Sequence, residues 1–408
     1  MGNWKSMLLK DFCIFNANTY GNKDVWIYVN YLDTGNITNN KIEKVQYIDL
    51  NKEKLPSRAR RKISYNSIIY STVRPNQLHY GIIKNIPDNF LVSTGFVVID
   101  VDEKIADADF IYYWLSQSSI TDKLQATAEQ STSTYPSIKV SDLAELEIYL
   151  PPLWLQKNIS GILSIIDKKI TNNDKINRNL SEQIAALYQA WFIDYEPFKD
   201  GDFVDSEVGE IPVGWRVEKL VNLCDTISKK HKFDKEELIF LNTGDIEDGR
   251  FLHGNYSAVE GMPGQAKKSI KENDILYSEI RPENRHFAFV NFEAEDYVVS
   301  TKLMVIRSKG MEPRRLYQFL TSQPVIDELQ LEAESRSGTF PQIRFENVGA
   351  LKMVVATDDV EKKYAELLQK FYAQIDKNVM ENQRLTELRD SLLPKLMSGE
   401  LDVSDLNI

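Results

Sequence analysis

The chain has 408 residues, 27% of them charged and 42% apolar, with a net charge of -11. That balance describes a globular protein too long for one ordinary core, and it argues against disorder and against burial in a membrane. With two cysteines and four histidines, neither a disulfide framework nor a histidine-based metal cluster is expected.

The N-terminus, MGNWKSMLLKDFCIF, lacks a signal-peptide layout, because Lys10 and Asp11 interrupt its apolar stretch. No apolar run reaches the roughly 18 residues that a membrane span needs. A cytoplasmic protein without a membrane partner is therefore expected. An excess of acid disfavours a nucleic-acid partner, since phosphate binding is driven by Lys and Arg. Five of the acids, Asp200, Asp202, Asp205, Glu207 and Glu210, fall in one short stretch, so the total says little about individual faces.

Residues 1–152 read as an α/β globule. YLDTGNI (31–37) contains a turn, and IIYSTV (68–73) is a strand entering an Arg-Pro turn at Arg74. FLVSTGFVVI (90–99) reads as one buried strand, DFIYYWLSQ (109–117) as a short helix, and LEIYL (146–150) as a last strand after the hydroxyl-rich STSTYP. Residues 153–196 then carry Ile159, Ile162, Ile166, Ile170, Ile176, Leu180, Ile184, Leu187 and Trp191 at helical spacing, opened by Pro151-Pro152 and closed by Pro197. Forty such residues make a rod of about 60 Å, which needs a partner. The acidic stretch 197–213 reads as a linker, 214–356 as a second globule, 357–402 as a second long helix and 403–408 as a tail. The second helix supplies the partner stripe with Tyr364, Leu367, Phe371, Ile375, Val379, Leu385, Leu392 and Leu396. Both stripes are interrupted by Asn, at Asn173 and Asn382. A seam Asn fixes register in paired helices, although each could also sit on a solvated shoulder.

The chain is written twice. WKSMLLKDFC (4–13) answers WRVEKLVNLC (215–224), and PSRARRKISYNSIIYSTVRP (56–75) answers PGQAKKSIKENDILYSEIRP (263–282). FLVSTGFVVI answers YVVSTKLMVI (297–306), and TYPSI (134–138) answers TFPQI (339–343). A period of about 207 residues is far beyond that of solenoids, so each repeat is a whole domain with its own helix. The expected fold is α+β: two pseudo-symmetric α/β domains separated by two long antiparallel helices that form a coiled coil. Cys13 and Cys224 are matched positions in different repeats, which argues against a disulfide.

The repeat also singles out candidate contacts. Arg58, Arg60, Arg61 and Lys62 in the first half face Lys267 and Lys268 in the second. Positive charge at one place in both halves points to an anionic partner such as phosphate, against the alternative of a solvated loop. Lys229, Lys230, His231 and Lys232 form a third cluster, in the second repeat alone. Arg74 and Arg281 each end a strand before Pro, where a guanidinium can pair with guanine, with phosphate, or in a structural ion pair. His79-Tyr80 and His286-Phe287 set a donor beside a ring, suited to a groove or to a strand with one buried face. The hydroxyls of Ser131, Thr132, Ser133, Thr134, Ser335, Ser337 and Thr339 could meet phosphate or simply turn the chain.

Catalytic signatures are sparse: there is no Walker A loop, no GxGxxG and no GxSxG elbow. Asp88 with Asp102, Glu103 and Lys104 fits a loose metal-nuclease pattern, which the second repeat does not reproduce. A stand-alone metal-dependent nuclease and a coiled-coil scaffold whose globules bind proteins remain the alternative readings.

LPPLWLQKNISGILSIIDKKI (150–170), LSEQIAALYQAWFIDYEPF (180–198), GEIPVGWRVEKL (209–220) and LRDSLLPKLMSGEL (388–401) occur in this order around the two globules. In them the whole chain resembles the specificity subunit of a type I restriction-modification system. The resemblance implies a non-catalytic reader of double-stranded DNA, with one target recognition domain for each half of a bipartite, asymmetric site and the helices as a ruler. It implies two methyltransferase subunits docked on the helices and globules, and restriction subunits in the full complex. No cofactor is expected in this chain: S-adenosylmethionine, ATP and Mg would belong to the partners. The candidate DNA contacts, read from the repeated clusters themselves, are Arg58, Arg60, Arg61, Arg74, His79, Tyr80, Lys267, Lys268, Arg281 and His286. The second helix opens with ATDDVEKK (356–363) where the first has LPPLWLQK, a departure from strict equivalence.

Overall fold

A computed structural model describes residues 4–131, 135–335 and 341–405. It divides into two compact units, Met1–Asp174 with Asn378–Ile408, and Lys175–Lys377. Each unit thus holds one globule and one half of each long helix.

The first globule contains β1 (Lys5–Leu8), β2 (Cys13–Phe15), β3 (Tyr28–Leu32), β4 (Gln46–Asp49), β5 (Ala59–Arg61), β6 (Ile68–Ser71), β7 (Tyr80–Ile82), β8 (Phe90–Ser93) and β9 (Phe96–Val101). Two helices follow, α1 (Ala108–Leu115) and α2 (Ser118–Glu129), and then β10 (Glu147–Leu150). One four-stranded sheet runs β4-β3-β8-β5 and the other β2-β9-β6-β7, while β1 pairs antiparallel with β10. Only the β3–β8 pairing among these is parallel.

The expected single strand 90–99 is therefore two strands in different sheets, broken at Thr94-Gly95. Its apolar run is continuous because the second sheet is covered on both faces. Phe96 and Val98 pack towards the first sheet with Leu32 and Val92, while Val97 and Ile99 pack under Phe110 and Leu163 on the helical side. Alternation is lost whenever both faces are buried.

The second unit repeats this plan. After a hairpin of β11 (Phe203–Ser206) and β12 (Gly209–Pro212) come β13 (Arg216–Lys219), β14 (Cys224–Thr226), β15 (Glu237–Leu241), β16 (Ser257–Ala258) and β17 (Ala266–Ser269). They are followed by β18 (Ile275–Ser278), β19 (Phe287–Phe289), β20 (Tyr297–Ser300), β21 (Leu303–Ser308) and β22 (Lys352–Val355). Sheets β16-β15-β20-β17 and β14-β21-β18-β19, with the β13–β22 pair, reproduce the order of the first globule. The acidic stretch expected as a linker is that hairpin, and Phe198, Ile211 and Trp215 fasten it into an aromatic core with Phe192 and Tyr364. Burying a side chain of this size contributes roughly 1.5–3 kcal/mol.

The long helices are α3 (Leu153–Phe192) and α4 (Asp358–Met397), 40 residues each. They pack antiparallel within each unit. Ile159 and Leu163 share a core with Leu393 and Leu396, and Ile184, Tyr188 and Phe192 share one with Tyr364 and Leu368. Ile176 and Val379, both expected on the seam, are exposed, and polar residues take their place. Asn173 is fully buried and donates to Glu381 at 2.8 Å and Asn382 at 2.9 Å, while Asn382 donates to Asp174 at 2.9 Å. The register-fixing reading of the Asn pair is therefore the one realised. At the start of α3, Gln156 is buried, accepting from Asp107 N at 2.9 Å and donating to the Pro151 carbonyl at 2.8 Å. That accounts for the Gln of the PPLxxQ start.

Cys13 and Cys224 are free and buried, and burial pushes both thiols up to about 12. Among the described residues no helix is long and apolar enough to cross a membrane.

Candidate nucleic-acid interface

Each globule carries the same strained turn where its central strand ends. In the first, Arg74 (φ 48°) and Leu78 (φ 56°) flank a 3-10 turn at Pro75–Gln77; in the second, Arg281 (φ 44°) and Arg285 (φ 54°) flank Pro282–Asn284. Left-handed backbone is unfavourable for residues with a Cβ and persists only where neighbours hold it. Here Arg74 N donates to the Pro136 carbonyl at 3.0 Å and Arg281 N to that of Pro341 at 3.2 Å. Asn39 N and Asp248 N donate to the carbonyls of Leu78 and Arg285, both at 2.7 Å. Both arginine side chains are exposed, and the Arg74 guanidinium lies 5.4 Å from the Tyr135 ring centroid.

The basic clusters lie along one edge of each first sheet. Arg58, just before β5, and Arg60, on it, are exposed, and Arg61 is half-buried with its Nε unpaired among the described residues. Lys62 is engaged internally. Its ammonium pairs with Asp24, holding that carboxyl below its ordinary range, and lies 5.3 Å from the centre of the Trp26 ring.

On the matching β17, Lys267 is exposed but Lys268 is not free. Its ammonium donates to the carbonyls of Thr301 at 3.0 Å and Leu303 at 2.8 Å, and burial lowers its pKa from the usual lysine value. Lys268 is thus a tie between strands, which corrects its reading as a phosphate contact.

The strand edge also gathers a cluster that the sequence kept apart. His231 N donates to the Lys267 carbonyl and Ser269 N to that of Lys229, both at 2.8 Å, and Lys230 bridges to Lys268. Lys229, Lys230 and Lys232 are exposed beside Lys267. The first globule has the same arrangement with other side chains: Tyr20 N donates to the Arg60 carbonyl and Lys62 N to that of Asn18.

Edge and turn meet at the link between the two sheets. Thr94 N donates to the Arg58 carbonyl and Thr72 N to that of Gly95; Thr301 N donates to Gln265 and Glu279 N to Lys302. In each globule an exposed Arg-Pro turn and a basic strand edge are therefore fastened to one short connection. Lys302, in the place of Gly95, is partly neutralised by Glu279 at 3.5 Å.

Three other candidates take structural places. His79 Nδ1 donates to the Ile37 carbonyl at 2.6 Å, and His286 Nδ1 to that of Ile246 at 2.7 Å, each closing the TGN or TGD loop onto its turn. Tyr80 is 4% exposed and stacked on Tyr70, and Phe287 is buried and stacked on Tyr277, so neither ring faces solvent. Of the hydroxyl-rich loops, Thr132, Ser133, Thr134, Ser337 and Thr339 lie outside the described residues. Glu103 accepts from Asn66 and Asp102 caps Lys104 N. Among the described residues no group of three or more His, Cys, Asp or Glu is placed to hold a metal ion.

Fold and site together define a class: a duplicated protein with a basic edge and an exposed arginine turn built once per globule, on paired helices. The type I restriction modification DNA specificity domain matches residues 1–182 and 212–388, and the chain belongs to that family. It is 38% identical over 181 residues to the type I restriction enzyme HindI specificity subunit of Haemophilus influenzae, a match covering 44% of this chain and 39% of that protein. It is 26% identical over 308 residues to the MjaIX specificity subunit of Methanocaldococcus jannaschii, covering 73% of this chain and 70% of the relative. The crystal structure of a type I restriction-modification system S subunit from M. genitalium shares the fold, with a TM-score of 0.57 at 15% identity over 97% of this chain and 96% of that one.

Proposed function

We propose that this chain is the non-catalytic DNA reader of a type I restriction-modification complex. Each globule reads one half of a bipartite, asymmetric site on double-stranded DNA. The helix pair sets the interval between halves and docks two methyltransferase subunits, with restriction subunits joining the full assembly in the cytoplasm. S-adenosylmethionine, ATP and Mg are bound by those partners.

The observation that carries this reading is the doubled geometry inside the specificity family: one backbone site, built twice, with different side chains on it. Arg58 and Arg60 stand where the second globule has Gln265 and Lys267, so the two sites present different hydrogen-bonding groups. Matched phosphate contacts would position each globule while the unmatched side chains discriminate bases. The net charge of -11 does not oppose this, because five acids cluster in the hairpin region 200–210 and exposed cations gather at both edges, Arg58 with Arg60 in one globule and Lys229, Lys230 and Lys232 with Lys267 in the other.

The test is a map of methylated adenines in cells with and without the chain. A two-part motif with unlike halves that vanishes with the chain is expected. A contiguous motif, or one indifferent to the chain, would contradict the reading.

A further inference from the structure

The two globules differ most informatively behind their Arg-Pro turns. In the second, four side chains form a polar relay: Arg285 donates to Asp248 at 3.1 Å and also to Gln323, and Gln323 donates to Asp327 at 2.6 Å. Gln323 is the first residue of the helix Gln323–Ser335, so the relay ties turn, loop and helix together.

The first globule has the same backbone at all four places. Asn39 and Asp248 share φ 45°, and Leu78 and Arg285 share the left-handed position after their 3-10 turns. Ser118 opens α2 as Gln323 opens the helix Gln323–Ser335. The side chains, however, are Asn39, Leu78, Ser118 and Asp122, which keeps the terminal carboxylate and loses the guanidinium. At that position lies a cavity of about 510 Å³ lined by all four.

Its remaining wall suits a cation. Tyr112 and Tyr113 line it, and cations are attracted to aromatic faces. The cavity holds three carboxylates, Asp122, Asp167 and Asp390, against one guanidinium, that of Arg389. Arg389 is already covered, by Asp167 at 2.9 Å and by Asp390 at 2.8 Å. Asp122 is exposed, and among the described residues it has no ion-pair partner.

We infer that this cavity in the first globule is a binding site for a guanidinium group supplied from outside the chain, which completes the relay that Arg285 completes in the second. The group is that of an arginine, either the free amino acid or a side chain of an assembled partner protein. Planar, multiply donating and permanently charged, it matches the carboxylate and amide acceptors better than an ammonium would. The site stands independently of how the globule reads DNA.

The experiment titrates arginine amide, and citrulline amide as its uncharged isostere, into the purified full-length chain. Arginine amide should bind at least about tenfold more tightly than citrulline amide, and Asp122→Asn should weaken it about fivefold, the effect of losing one exposed ion pair. Grafting the missing relay with Asn39→Asp and Leu78→Arg should abolish arginine binding and raise the thermal midpoint. If the graft fails to fold, the Asp122→Asn comparison still decides. Repeating the titration on the assembled complex separates the sources: exclusion of arginine amide assigns the site to a partner side chain, and retained binding to the free amino acid. Equal, weak binding of both amides, or an affinity unchanged by Asp122→Asn, would overturn the proposal.

Discussion

The two joints between globule and helices solve one problem with opposite allocations of charge. In the first unit, Asp167 of α3 accepts from the Tyr113 hydroxyl at 2.7 Å and pairs with Arg389 of α4 at 2.9 Å. In the second, the matching Asp376 of α4 faces Arg314 of the globule at 3.4 Å and accepts from Asn291 at 3.0 Å. Beside it Arg315, 1% exposed, stacks over Phe192 at 3.6 Å and Tyr188 at 4.9 Å, where the first globule has Phe110. Duplication kept the backbone and the acid but moved the cation from helix to globule. Each joint therefore depends on its own residues and should fail on its own.

The largest effect is expected at Arg315. Truncating a fully buried side chain of this size leaves a cavity and costs about 2–5 kcal/mol, whereas an apolar replacement of similar volume recovers much of it. Arg315→Ala should show that loss in urea unfolding and Arg315→Met much less. Equal losses would mean that the charge, not the packing, secures the second joint. Next comes Asn173→Ala, which strips Asn382 and Glu381 of a buried donor. A decrease of about 1–3 kcal/mol in the same assay is expected, and no decrease would return Asn173 to a passive role.

On DNA, Arg74→Ala and Arg281→Ala should each weaken binding by the assembled complex by about 1–3 kcal/mol without impairing assembly. Unchanged affinity at fixed salt would remove the turns from the interface. The smallest effect separates neighbours on one strand: Lys267→Ala should lower the slope of log affinity against log salt by about one phosphate contact, and Lys268→Ala should leave the slope alone. A slope that responds to Lys268 instead would reverse their assignment.

Much of this is legible in the amino-acid sequence. The duplication, the paired helices and the Asn at their centre followed from periodicity and from matching strings, because those signals are carried by residues near in sequence or repeated in it. What the sequence hid depends on non-local burial. Phe90–Val101 looks like one strand because both faces of its second half are covered. Lys268 and Lys267 have the same charge, and only the carbonyls of Thr301 and Leu303 distinguish tie from contact. Tyr80 resembles a groove residue until Tyr70 stacks on it. Lys229–Lys232 seemed a separate cluster because pairing with β17 joins segments that are distant in the chain. The helices Ser118–Glu129 and Gln323–Ser335 are hidden because their 12 and 13 residues carry too few turns for an apolar stripe to stand out beside the 40-residue helices.

The central claim is that each globule reads its own half-site, and it is tested most directly by making the globules identical. A chain in which residues 214–356 are replaced by a second copy of 1–152 should, with its methylation partners, produce a methylated motif whose two halves carry the same sequence. A motif that keeps its two unlike halves would contradict the account.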